Sequence, residues 1–130
     1  MTEATDHARQ QAQAQLESIK QMVTALDAEN EEEREAALQR IYEDPLSVEV
    51  RSDWHSLNAS KEDAAPSEYR ILLCTGGPAV QIIGDLDQHQ QPESARLQYQ
   101  DWFTPWEDCA LEQEDEQALL TYAQQFYFGE

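Results

Sequence analysis

The residues with catalytic or ligating chemistry are few and badly spaced for it. His55, Cys74, His89 and Cys109 are of the types that serve as nucleophiles or metal ligands, yet no two stand about two to four residues apart, as zinc ligands on a shared turn do. The spacing predicts Cys74 in a strand, both histidines in loops, and neither metal nor cofactor. Thr75-Gly76-Gly77-Pro78 has the glycines of a phosphate cradle. It lacks the lysine, the third glycine and the following helix, and Pro78 removes an N–H donor, so a hairpin turn is expected there. A nucleophilic triad needs Cys or Ser beside His and a carboxylate. With 27 acidic residues a carboxylate lies near everything and is uninformative. No nucleotide fingerprint or nucleophile elbow is present. The expectation is a non-enzymatic protein, with an enzyme using His55 or Cys109 as a remote alternative.

The charge carries more information. The chain has 130 residues, 27 acidic and 8 basic, for a formal net charge of −19. Such a surface repels phosphate backbones and anionic lipid over about a Debye length, roughly 8 Å at physiological salt. It attracts basic surfaces and speeds encounter with them. Direct nucleic-acid or membrane binding is therefore disfavoured, and a basic host protein or nucleic-acid-binding complex is the expected partner. The bland alternative is that the charge only keeps a small protein soluble. Charge concentrates at the two ends: residues 1–45 and 105–130 each carry −7, the longer middle −5. One cluster is Glu29, Glu31, Glu32, Glu33 and Glu35; the other is Glu107, Asp108, Glu112, Glu114, Asp115 and Glu116. Aromatics beside acids have the composition of an interaction hot spot. Trp102 and Trp106 are expected to close the sheet against the last helix, which leaves Phe103 beside the second cluster as the surface aromatic.

The elements that must position these residues follow from periodicity. From about residue 5 to 30 there is no Gly or Pro, and Leu16, Ile19, Met22, Val23 and Leu26 recur at helical spacing. The first dozen residues of this stretch carry almost no apolar residue larger than Ala and are expected to fray or project. The stripe must meet either the domain or a second copy, and in the latter case Leu16, Ile19, Val23 and Leu26 form a homodimer contact. A second helix over 31–42 places Ala37, Leu38, Ile41 and Tyr42 on one side, starts with acids that suit its dipole, and stops before Pro45. Residues 46–54 alternate, with Leu46, Val48, Val50 and Trp54 on one face of a half-buried strand. Further strands are read over 68–74, 79–86 and 95–101, and a last helix over 114–128. Short connections imply antiparallel neighbours. The fold class is α+β: an N-terminal helical segment (1–45), then a core (46–130) of a four-stranded antiparallel meander with the C-terminal helix packed on it, all one domain. No long apolar run and no signal pattern is present, so a cytoplasmic location is expected.

The strings EDPLSVEVRSDWH (43–55), ILLCTGGPAVQIIGDLD (71–87), ARLQYQDWFTPW (95–106) and LLTYAQQFYFGE (119–130) resemble a widespread group of small acidic proteins of bacterial, prophage, phage and plasmid contexts. That group has no activity to transfer. The resemblance implies a mobile-element setting, in which small acidic proteins include anti-CRISPR inhibitors and nucleic-acid mimics. The expectation is thus an anti-defence inhibitor presenting an anionic surface to a basic groove, with an accessory protein dimerising through its N-terminal helix as the alternative.

Overall fold

The computed structural model describes residues 3–52, 54, 56–58, 65–75, 78–101 and 105–126. Helices α1 (Glu3–Ala25) and α2 (Glu31–Glu43) precede strands β1 (Ser47–Ser52), β2 (Pro66–Cys74), β3 (Ala79–Asp85), β4 (Arg96–Gln100) and β5 (Glu107–Asp108), and α3 (Gln113–Ala123) follows. The strands pair antiparallel in the order β1-β2-β3-β4-β5. The α+β class and the meander therefore stand, with five strands rather than four. β5 pairs Glu107 with Tyr99 and Asp108 with Gln98. Two residues are too short to show a period of two in the sequence.

Helices cover one face of this sheet. Tyr69, Ile71 and Leu73 of β2, Val80 and Ile82 of β3, and Leu97 and Tyr99 of β4 all point into the core. Their register is consistent, with Ile71 opposite Ile82 and Ile82 opposite Leu97. Ile19, Ile41, Ile71, Ile82, Leu97 and Leu119 are fully enclosed, each contributing about 1.5–3 kcal/mol. The expected C-terminal cover is only partial: α3 packs on α1 and β4, while α1 lies across β3 and β4 as the main lid.

The start of α1 does not project. Ala8, Ala12, Leu16, Ile19 and Met22 form one buried stripe. Alanine adds little apolar area, which is why the sequence pattern undervalues it, but its small side chain lets the helix approach its neighbours closely. Leu16 and Ile19 are thereby taken up by the chain's own core, with Val23 and Leu26 partly buried against it. The α1 stripe meets the domain: Leu16 and Ile19 are enclosed by it, while Val23 and Leu26 keep part of their surface.

β1 departs from expectation differently. Val48 and Val50 stand opposite Ile71 and Tyr69, on the core-side face, yet they remain 38% and 44% exposed. Alternation predicted the strand and its inward face correctly but not the burial, because β1 is the sheet edge and α1 sits over β3 and β4. The last helix also ends sooner, at Ala123 rather than 128, with Gln124 as its C-cap. Two close approaches lock the ends of the sheet and helices. Tyr69 crosses Gly84 on the neighbouring strand and donates to the Ser94 carbonyl at 2.6 Å. A Cβ on Gly84 would run into that carbonyl oxygen and come within 2.8 Å of the Tyr69 ring. Tyr122, fully buried, donates to Asp44 Oδ2 at 2.7 Å, and Phe126 packs edge-on against both Tyr42 and Tyr122.

Candidate functional site

The acidic clusters sit at helix starts for local reasons. Asn30 caps α2 by accepting from the Glu32 N–H at 2.8 Å, and Glu31, Glu32 and Glu33 fill the first turn, where the dipole favours negative charge. Glu29, Glu31, Glu32, Glu33 and Glu35 are all exposed. Arg34, the nearest base, is turned back on the connection, donating from Nη1 to the carbonyls of Ala28 at 2.7 Å and Glu29 at 2.9 Å.

The second cluster divides by role. Asp115 Oδ2 accepts from the Glu112 N–H at 3.2 Å and Asp115 Oδ1 from Lys20 Nζ at 2.9 Å. The Lys20 ammonium, then the Glu112 amide, holds the Asp115 carboxyl below the usual carboxylate range. The same contact raises Lys20 above the ordinary lysine value. Asp108 accepts from Gln98 Nε2 at 2.9 Å. Asp115 and Glu112, the N-cap of α3, work within the fold, and Asp108, though exposed, is held by Gln98; Glu107, Glu114 and Glu116 are exposed. Phe103 and His55 lie outside the described residues.

Tertiary structure brings the two clusters towards one end of the helical layer. Lys20, about a turn from the end of α1, anchors the start of α3, and α2 begins a short connection after α1 ends. The opposite ends of α2 and α3 meet through Tyr122–Asp44 and Tyr42–Phe126. The bases near the helix starts are tied into the fold, Lys20 by Asp115 and Arg34 by the carbonyls of Ala28 and Glu29.

The sheet face away from the helices carries residues that sequence reasoning missed. Glu49, Arg51, Glu68, Arg70, Gln81, Ile83 and Trp106 line a shallow depression of about 320 Å³, shared with Val50 and Tyr69. Arg51 Nε bonds Glu68 at 2.8 Å and Arg70 Nη2 bonds Glu49 at 2.7 Å, forming two opposed ion pairs across β1 and β2. A relay runs from Gln81 Nε2 to Gln98 Oε1 at 2.8 Å and on to Asp108. Because the carboxylate only accepts, it sets the direction of both amides, and Gln81 Oε1 is left buried with no hydrogen-bond donor among the described residues. Trp106 is half-buried on this face rather than closing the sheet against the last helix. The alternating Glu and Arg of β1 and β2 are visible in the sequence, but only the register pairs them.

The thiols are poorly suited to nucleophilic work. Burial pushes the Cys109 thiol up, Asp115 adds to the shift, and Arg9 opposes it. Burial likewise raises Cys74. Raised values mean little thiolate at neutral pH. Among the described residues no three His, Cys, Asp or Glu converge as a metal site, and no helix is long and apolar enough to cross a membrane. Comparison with protein-family models, curated proteins and solved structures returned no match.

Proposed function

We propose that this protein is a non-enzymatic interaction module, working in the cytoplasm, whose acidic helix starts dock on a basic surface of a partner. In the mobile-element setting that the resemblance implies, the partner is a host defence complex and the anionic end occupies its nucleic-acid-binding groove as a mimic. The observation that carries this reading is the convergence of Glu31, Glu32 and Glu33 with Glu114 and Glu116 near one end of the helical layer, with the nearest bases tied into the fold. Rim charges of this kind act mainly through association rate and salt dependence.

The test is capture from host lysate at low and high salt. The wild-type chain should retain a nucleic-acid-binding complex at low salt and release it at high salt. A quintuple variant, Glu31→Lys, Glu32→Lys, Glu33→Lys, Glu114→Lys and Glu116→Lys, should fail to retain it. Undiminished capture by that variant would defeat the mimicry reading.

A further inference from the structure

β1 ends the sheet, and among the described residues no strand lies along its outer side. Its six residues, Ser-Val-Glu-Val-Arg-Ser, contain no proline or lysine; of the devices that blunt an exposed edge they carry the charges of Glu49 and Arg51 and a register irregularity at Arg51/Ser52. The large apolar residues left exposed among the described ones are Tyr42, Leu46, Val48, Val50, Trp54 and Leu57. Tyr42 lies on α2, while Leu46, Val48, Val50 and Trp54 belong to β1 or its immediate flanks, a concentration rather than the usual scatter of single surface apolar residues.

Charge sets both the occupant and the register. We propose that two chains join by antiparallel β1–β1 pairing about a two-fold axis at Val50, merging their sheets into one. In that register Glu49 lies opposite Arg51 of the second copy. Within each chain Arg51 faces Glu68 and Glu49 faces Arg70. The combined row on the face away from the helices then reads Glu68, Arg51, Glu49 and Arg70, the last two from the second copy, alternating in sign throughout. The symmetry repeats the row on the other side of the axis. On the helix-side face the two Val50 side chains meet, flanked by Tyr69 from each chain. Moving the axis to Glu49 or Arg51 sets each of these charges against its own copy. Moving it to a point between residues puts the apolar face of one strand level with the charged face of the other. The centre at Val50 avoids both faults. This surface is separate from the acidic helix starts, so its test does not depend on the docking reading.

The experiment is sedimentation velocity over about 1–200 μM, spanning weak to moderate affinities, at about 0.15 M salt so that self-repulsion of the −19 chain is screened. Wild type should shift from monomer to dimer with concentration. Val50→Lys, at a position already 44% exposed, should remain monomeric with an unchanged circular dichroism spectrum. Register is read by oxidative cross-linking, because facing Cα atoms on paired strands lie about 4.5–5.5 Å apart, within disulfide reach. Val50→Cys should form a covalent dimer readily. Val48→Cys, opposite Ser52 of the second copy, should cross-link at no more than the rate of wild type. A monomer at every concentration, or equal cross-linking of both cysteine variants, overturns the proposal.

Discussion

Asp115 lies in the middle of an acidic cluster, yet the structure gives it a task that its neighbours do not share. Replacing Asp115, Glu114 or Glu116 by alanine removes one negative charge each and leaves the same good helix former behind. General charge relief is therefore equal in the three variants. Asp115→Ala alone abolishes the acceptor for the Glu112 N–H and the shorter of the two ion pairs of Lys20, leaving Glu17 at 3.6 Å. Loss of an N-terminal capping interaction costs about 0.5–2 kcal/mol, and the loss of the Lys20 contact acts in the same direction. At about 2.1 cal/mol/K of unfolding entropy per residue, 130 residues lose about 4 °C of melting temperature per kcal/mol. Asp115→Ala should thus melt about 2–8 °C below wild type. Glu114→Ala and Glu116→Ala should stay within about 0.5 kcal/mol, as surface substitutions do. The assay is thermal and urea unfolding followed by circular dichroism at neutral pH. The carboxyl of Asp115 is lowered in the folded state, so its contribution is present above the ordinary value of 3.8 and is lost as pH falls through the lower folded value. The gap between Asp115→Ala and wild type should close on acidification. Equal melting of all three variants at neutral pH would refute the assignment of Asp115 to the fold.

Gly84→Ala should destabilise by about 1–3 kcal/mol, the range for overpacking, since the new methyl collides with the Ser94 carbonyl; urea unfolding measures it, and a neutral result would mean that the 92–95 segment yields freely. Ala12→Leu should cost a similar amount by forcing α1 off the core, whereas leucine at exposed Ala14 on the same helix should be nearly neutral. Tyr69 and Tyr122 both have raised folded values, chiefly through burial, with Asp85 adding at Tyr69 and the Asp44 bond at Tyr122. Their contribution is present below the ordinary value of 10.0 and falls as pH rises beyond it, so stability should drop above pH 10. Absorbance at the phenolate band should then show Tyr69 and Tyr122 ionising only together with unfolding.

Local pattern carried much of the fold. The helical spacing of Leu16, Ile19 and Met22, the alternation of Val48 and Val50, and Pro45 after Asp44 each depend on neighbours in the chain. They determined the kinds of element, the antiparallel meander and which side of each strand is apolar. The acids at the starts of α2 and α3 were equally legible, because the preference of a helix start for negative charge is local.

What the chain order could not decide was which faces receive partners. Ala8 and Ala12 favour a helix but carry too little apolar area to mark a stripe, and only the proximity of β3, β4 and α3 makes them core. Val48 and Val50 look buried, and only the edge position of β1 leaves them open. Asp115 cannot be told from Glu114 in the sequence; a lysine 95 residues away makes the difference. The ion pairs of Glu49 with Arg70 and Arg51 with Glu68 likewise need the strand register before they exist. Periodicity is set by backbone geometry within a few residues, whereas burial and pairing depend on contacts between distant segments that form only when the chain has folded.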